Sequence, residues 1–197
     1  MTLVSVFGCL SGPKSLCINI VALLCLSFSA QADEVQVPSE LQVDESILVL
    51  NGSGLRSRLF IDLYVGSLYL PHFGSDASKI IQSNEPMAIR LSIVSSLITG
   101  EKLRDATLEG FRHAVEDTSA LDERIVKFLR AFSEPVEVGD QFQLYWHPAT
   151  GLLVVERNEE VVEQIEGLDF KQALFAIWLG ENPVQGSLKD EMLGIAN

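Results

Sequence analysis

The chain has 197 residues and a formal net charge of −13, with 27 acidic residues against 14 basic ones. A polyanion of this kind is repelled by phosphate backbones, which argues against nucleic acid as a partner. The cysteines are Cys9, Cys17 and Cys25, so beyond residue 32 no thiol is available for a disulfide, a nucleophile or a metal site.

Residues 1–32 read as a secretory signal. They contain no acidic residue; Lys14 precedes an apolar run from Leu16 to Leu26, and Ala30-Gln31-Ala32 puts small side chains where signal peptidase requires them. The run is shorter than the roughly 20 residues a membrane span needs. Cleavage before Asp33 is therefore expected, with no span after processing. Residues 33–39 read as a leader and 40–197 as one domain. A domain of this length buries enough surface to do without disulfides or metals.

The first half of the domain reads as strands. Ile47 to Leu50 runs into Asn51-Gly52-Ser53-Gly54, a turn signal. Leu59 to Leu70 follows, with Leu59, Ile61, Leu63 and Val65 on one face and Phe60, Asp62, Tyr64, Gly66 and Leu68 on the other. Asp76 to Gln82 reads as a short helix, and Met87 to Val94 as a strand. Thr99 is placed to cap a helix with apolar positions at Leu103, Ala106, Gly110, Phe111, Ala114 and Val115. Ser119 is placed to cap a second, with Leu121, Ile125, Phe128, Leu129 and Phe132 on one stripe and Pro135 beyond its end. Gln141 to His147, Leu152 to Glu156 and Val161 to Ile165 then read as an antiparallel meander. Phe170 to Leu179 reads as a helix apolar nearly all round, ended by Gly180. This order of strands, helices, strands and helix indicates an α+β fold, with helices on one face of a largely antiparallel sheet.

Chemistry-bearing motifs are few. His72, His113 and His147 fall in three different segments without metal-ligand spacing, so no metal is expected. No phosphate loop, nucleophile elbow or dinucleotide fingerprint is present, so no cofactor is expected. One local arrangement has potential: Arg56 and Tyr64 share a parity. A guanidinium fork and a phenol on one apolar groove form a clamp for a carboxylate. The alternative pairs Arg56 with Asp62 on the sheet surface and leaves Tyr64 as a core aromatic.

Gly52-Ser53-Gly54-Leu55-Arg56, Tyr64-Val65-Gly66-Ser67-Leu68-Tyr69-Leu70, Gly139-Asp140, Asp169-Phe170 and Ile177-Trp178-Leu179-Gly180 with Pro183 together resemble the chalcone isomerase-like family, in particular its bacterial exported branch. The resemblance covers about residues 40–195. It implies an open-faced β-sandwich, a large antiparallel sheet covered on one side by helices. The family includes plant enzymes that close a flavonoid ring and non-enzymatic members that bind fatty acids through an arginine and a tyrosine. By motif position these are Arg56 and Tyr64 here. Where the isomerases carry polar groups, this chain has Leu103, Gly110 and Ile177.

The resemblance thus implies a non-catalytic protein binding a small, apolar, fatty-acid-like carboxylate in a cleft, with Arg56 and Tyr64 at its head group, in the bacterial periplasm. Two alternatives stand beside it: an isomerase acting on a phenolic or enone substrate, and a protein-interaction module without a small ligand.

Overall fold

Met87, Ile89, Leu91 and Ile93 alternate along one strand, and each is at most 3% exposed. This row lies at the centre of the core. The structure, a computed structural model, describes residues 35–43 and 45–196; the signal expected over residues 1–32 lies outside them. Seven described strands form one antiparallel sheet in chain order. They are β1 (Glu40–Val43), β2 (Ser46–Arg58), β3 (Ile61–Leu70), β4 (Met87–Ile93), β5 (Gln141–His147), β6 (Leu152–Arg157) and β7 (Glu160–Glu166).

One face of the sheet carries the helices. Leu68, Leu70, Phe142, Leu144, Leu153, Val155 and Ile165 meet helical side chains there in a continuous core. A smaller cluster on the other face joins Leu41, Val43, Leu48, Tyr69, Ala88, Tyr145 and Val154. The α+β, open-faced architecture is therefore as the sequence indicates.

The described helices are α1 (Ala77–Gln82), α2 (Gly100–Ala114), α3 (Asp122–Phe128), α4 (Leu168–Leu179) and α5 (Gly186–Met192). Asp76 caps α1 by accepting from the Lys79 backbone N–H at 3.1 Å, and Thr99 caps α2 by accepting from that of Lys102 at 3.2 Å. On α4, nine of twelve residues are buried, including Lys171. The Lys171 ammonium reaches past the apolar wall to the carbonyls of Ile80, Ile81 and Ser83, at 3.2, 2.8 and 2.8 Å. It thereby satisfies carbonyls at the C-terminus of α1 that lack helical partners.

Four expectations need correction. Asn51–Gly54 is no turn: β2 runs straight through it with a register shift between Leu50 and Gly52. The glycines are there for close approach, because a Cβ on Gly52 would stand 2.1 Å from the Glu191 carbonyl oxygen on α5. Asn51 is a buried bracket instead, bonding Gly74 in both directions and the Met192 carbonyl. Second, the hairpin turn is Leu59-Phe60, which ends β2 rather than beginning β3. Third, Ser119 caps nothing: α3 starts at Asp122 after a Thr118–Leu121 turn, and its continuation over Leu129–Phe132 tightens to a 3-10 turn. Fourth, Ala106 is exposed although it lies on the α2 stripe. Two elements had no counterpart in the sequence reading, β1 and α5.

Candidate functional site

Arg56 and Tyr64 are direct cross-strand partners on β2 and β3. The next pair is Ser57 with Asp62, so the register slips by one residue and Leu63 is left over as a bulge. Bulges of this kind re-aim side chains at the ends of sheets. Here the bulge separates Asp62 from Arg56: Asp62 accepts from the Ser57 hydroxyl at 2.7 Å on the exposed side. The Arg56 Nη1 donates to the Ser57 carbonyl at 2.6 Å and to the Gln185 side-chain oxygen at 3.1 Å. Its Nη2 and Nε groups make neither bond. Among the described residues no carboxylate stands within ion-pair distance of Arg56. The surface pairing of Arg56 with Asp62 is thus not formed.

Gln185, just before α5, is the residue that positions this arginine. Its Oε1 also accepts from the Ser57 N–H at 3.0 Å, and its amide nitrogen donates to the Leu55 carbonyl at 3.0 Å. A glutamine so far along the chain gives no sequence signal. Tyr64 is 8% exposed, and its hydroxyl accepts from the Trp178 indole N–H at 3.0 Å. Burial pushes the phenol pKa up, against smaller opposing pulls from Trp178 and Arg56. The hydroxyl therefore stays protonated at neutral pH, acting as a donor and not as a base.

These two residues border a cavity of about 430 Å³ between the β2–β3 hairpin and α2. Leu59, Ile61, Leu63, Leu97, Ile98, Leu103 and Val184 form its apolar wall. Arg56, Arg58 and Lys102 set three cations against Asp105 and Glu109. The volume lies within the roughly 300–1,000 Å³ of small-molecule sites. A second hollow of about 320 Å³ adjoins it, sharing Arg56, Arg58, Ala106, Glu109 and Val184. A larger hollow of about 610 Å³ lies elsewhere, beside Arg130, Glu134, Arg157, Glu160 and Glu163. Its lining is mostly charged, and Arg157 is already paired with Asp140 at 2.6 Å, so it offers no wall to desolvate an apolar ligand.

Leu103, Gly110 and Ile177 fall near the cavity. Leu103 lines it and Gly110 lines the adjoining hollow. Ile177 packs onto Gly110 so closely that a Cβ there would stand 2.8 Å from the Ile177 Cγ2. His72, His113 and His147 remain apart, and no group of metal-ligating side chains occurs among the described residues.

A family model described as chalcone isomerase-like matches residues 29–194. The chain belongs to the chalcone isomerase-like family. Among solved structures, a fatty-acid binding protein of Arabidopsis thaliana superposes with a TM-score of 0.65 at 20% identity, covering 80% of this chain and 90% of its own. At that identity the likeness shows the shared fold. No curated protein matches the chain by sequence.

Proposed function

We propose that this chalcone isomerase-like protein binds a small apolar carboxylate, fatty-acid-like, without transforming it. The observation that carries the reading is the cross-strand pair of Arg56 and Tyr64 at the border of an apolar cavity, with no carboxylate on the arginine among the described residues. A half-buried cation with no carboxylate beside it among the described residues is poised to take one from a ligand. A neutral phenol beside it adds a donor to the same head group. The apolar wall takes the tail, at about 0.8 kcal/mol per buried methylene. The similarity to a structure named as a fatty-acid binding protein points the same way.

Leu103, Gly110 and Ile177 support the non-catalytic part of the reading. Ring closure requires groups that stabilise a developing phenolate and position a proton donor. At these positions the chain has an alkyl wall and a tight helix–helix contact. The signal-like residues 1–32 support an exported location.

Native mass spectrometry of the chain purified from an expressing cell tests the reading. A co-purifying mass that dissociates as a long-chain acid is expected. No adduct, together with no heat on titrating long-chain acids, would remove it.

A further inference from the structure

The β2–β3 hairpin closes on two residues, Leu59 and Phe60, with φ of 50° and 66°. This left-handed geometry suits a tight hairpin but is disfavoured for bulky side chains, and Asn or Gly normally occupies it. The same fold solves the same problem differently elsewhere. The β6–β7 turn is Asn158-Glu159, with φ of 52° and 71°. There the Asn158 side chain accepts from the Gln141 N–H at 2.9 Å and donates to Asp140 at 2.8 Å. Leu59 and Phe60 do the opposite: they are 82% and 105% exposed, the most exposed large apolar side chains among the described residues. Folding gains nothing from them.

Their surroundings indicate what they meet. Ile61 and Leu97, 41% and 48% exposed, continue the apolar patch. Leu59, Ile61 and Leu97 also line the cavity described above, so the patch is its rim. Two exposed cations flank it, Arg58 and Lys102, in a chain of net charge −13. Apolar side chains at a tip, flanked by two long cationic stems with the exposed acids Asp62, Asp105 and Glu109 set further back, match the layering of a bilayer: acyl chains below, phosphates at the level of the ammonium and guanidinium groups.

We propose that this hairpin tip docks on a lipid bilayer, with Leu59 and Phe60 inserted between the headgroups and the cavity rim facing the membrane. Passage of an acid between bilayer and cavity rests on the reading given under Proposed function; the docking itself does not.

Phe60→Trp in the full chain, mixed with phosphatidylcholine vesicles carrying brominated acyl chains, reads the contact directly. The native Trp146 and Trp178 are 2% and 6% exposed and give a constant background. Ala149→Trp serves as control: it sits in the β5–β6 turn, at the opposite end of the sheet. The expected result is blue-shifted emission and quenching for Phe60→Trp and neither for Ala149→Trp. Adding Leu59→Ser should weaken vesicle affinity by about tenfold or more. No quenching at residue 60, equal quenching at both positions, or no effect of Leu59→Ser would overturn the proposal. A blue shift that grows with protein concentration without vesicles would assign the tip to a second copy and also overturn it. Titration of a long-chain acid without vesicles keeps the two readings apart. Acid binding without quenching removes only the docking, and quenching without acid binding removes only the cavity reading.

Discussion

The Trp178 indole donates to the Tyr64 hydroxyl at 3.0 Å, joining α4 to the floor of the cavity beneath α2. The bond occupies one lone pair of a phenol that burial already keeps protonated. The hydroxyl proton is left to donate, which suits a carboxylate oxygen. A base for ring chemistry would need the opposite state.

Removing that bond should cost little and removing the ring much. Trp178→Phe should lose about 0.5–1.5 kcal/mol of stability, the usual net worth of one hydrogen bond. Trp178→Ala should lose about 3–5 kcal/mol, as large aromatic truncations in cores do. Denaturant titration of both variants checks the pair. Equal small losses would place Trp178 outside the core.

Gly52 and Gly54 should tolerate alanine unequally. A Cβ at Gly52 meets backbone oxygens of Glu191 and Met192, at 2.1 and 2.8 Å, which cannot move without shifting α5. At Gly54 it meets the Glu191 carboxylate, which can rotate away, and the Glu191 Cβ at 2.7 Å, which is fixed to α5. Gly52→Ala should cost about 1–3 kcal/mol, the range of overpacking. Gly54→Ala should cost less, because part of its contact is a carboxylate that can move, and Gly52→Ala should speed amide exchange in α5 the more. The reverse order would mean that α5 does not rest on these glycines.

Lys171 should make stability depend on pH in the alkaline range. Burial lowers its pKa from 10.5 to about 8. Between these values the unfolded chain holds a proton that the folded chain has released. The unfolded state binds more protons, so stability rises with pH across this window. Below about pH 8 both states are protonated and the buried charge is at its full cost, of order 3 kcal/mol. Wild type should therefore gain on Lys171→Met between pH 8 and 10.5, read from urea midpoints. Parallel curves would show that the three carbonyls hold Lys171 at its ordinary pKa.

Period-two alternation made β3, β4 and the β5–β7 meander legible, because one buried face forces every second residue to be apolar. Met87 to Ile93 shows this most clearly. Parity alone does not account for Arg56 beside Tyr64: the Leu59-Phe60 turn lies between them, and a regular register would set Arg56 against Leu63, so it is the bulge at Leu63 that makes the pair. Asn51–Gly54 misled because glycine signals a turn and a close contact with the same absence of a side chain. Only the position of α5, 130 residues later, separates the two. Leu59-Phe60 hid the real turn because neither residue favours φ above zero. Gln185 and Lys171 were invisible for a related reason: each acts on backbone groups distant in sequence, which no local pattern encodes.

The central claim is that Arg56 holds the head of an apolar acid. Calorimetric titration of a long-chain acid and its equal-length alcohol, against wild type and Arg56→Ala, tests it most directly. A charge-assisted bond is worth about 1.5–3 kcal/mol. Arg56→Ala should thus weaken the acid by roughly tenfold to a hundredfold and leave the alcohol, already weaker on wild type, nearly unchanged. Equal affinities across all four pairings would contradict the account.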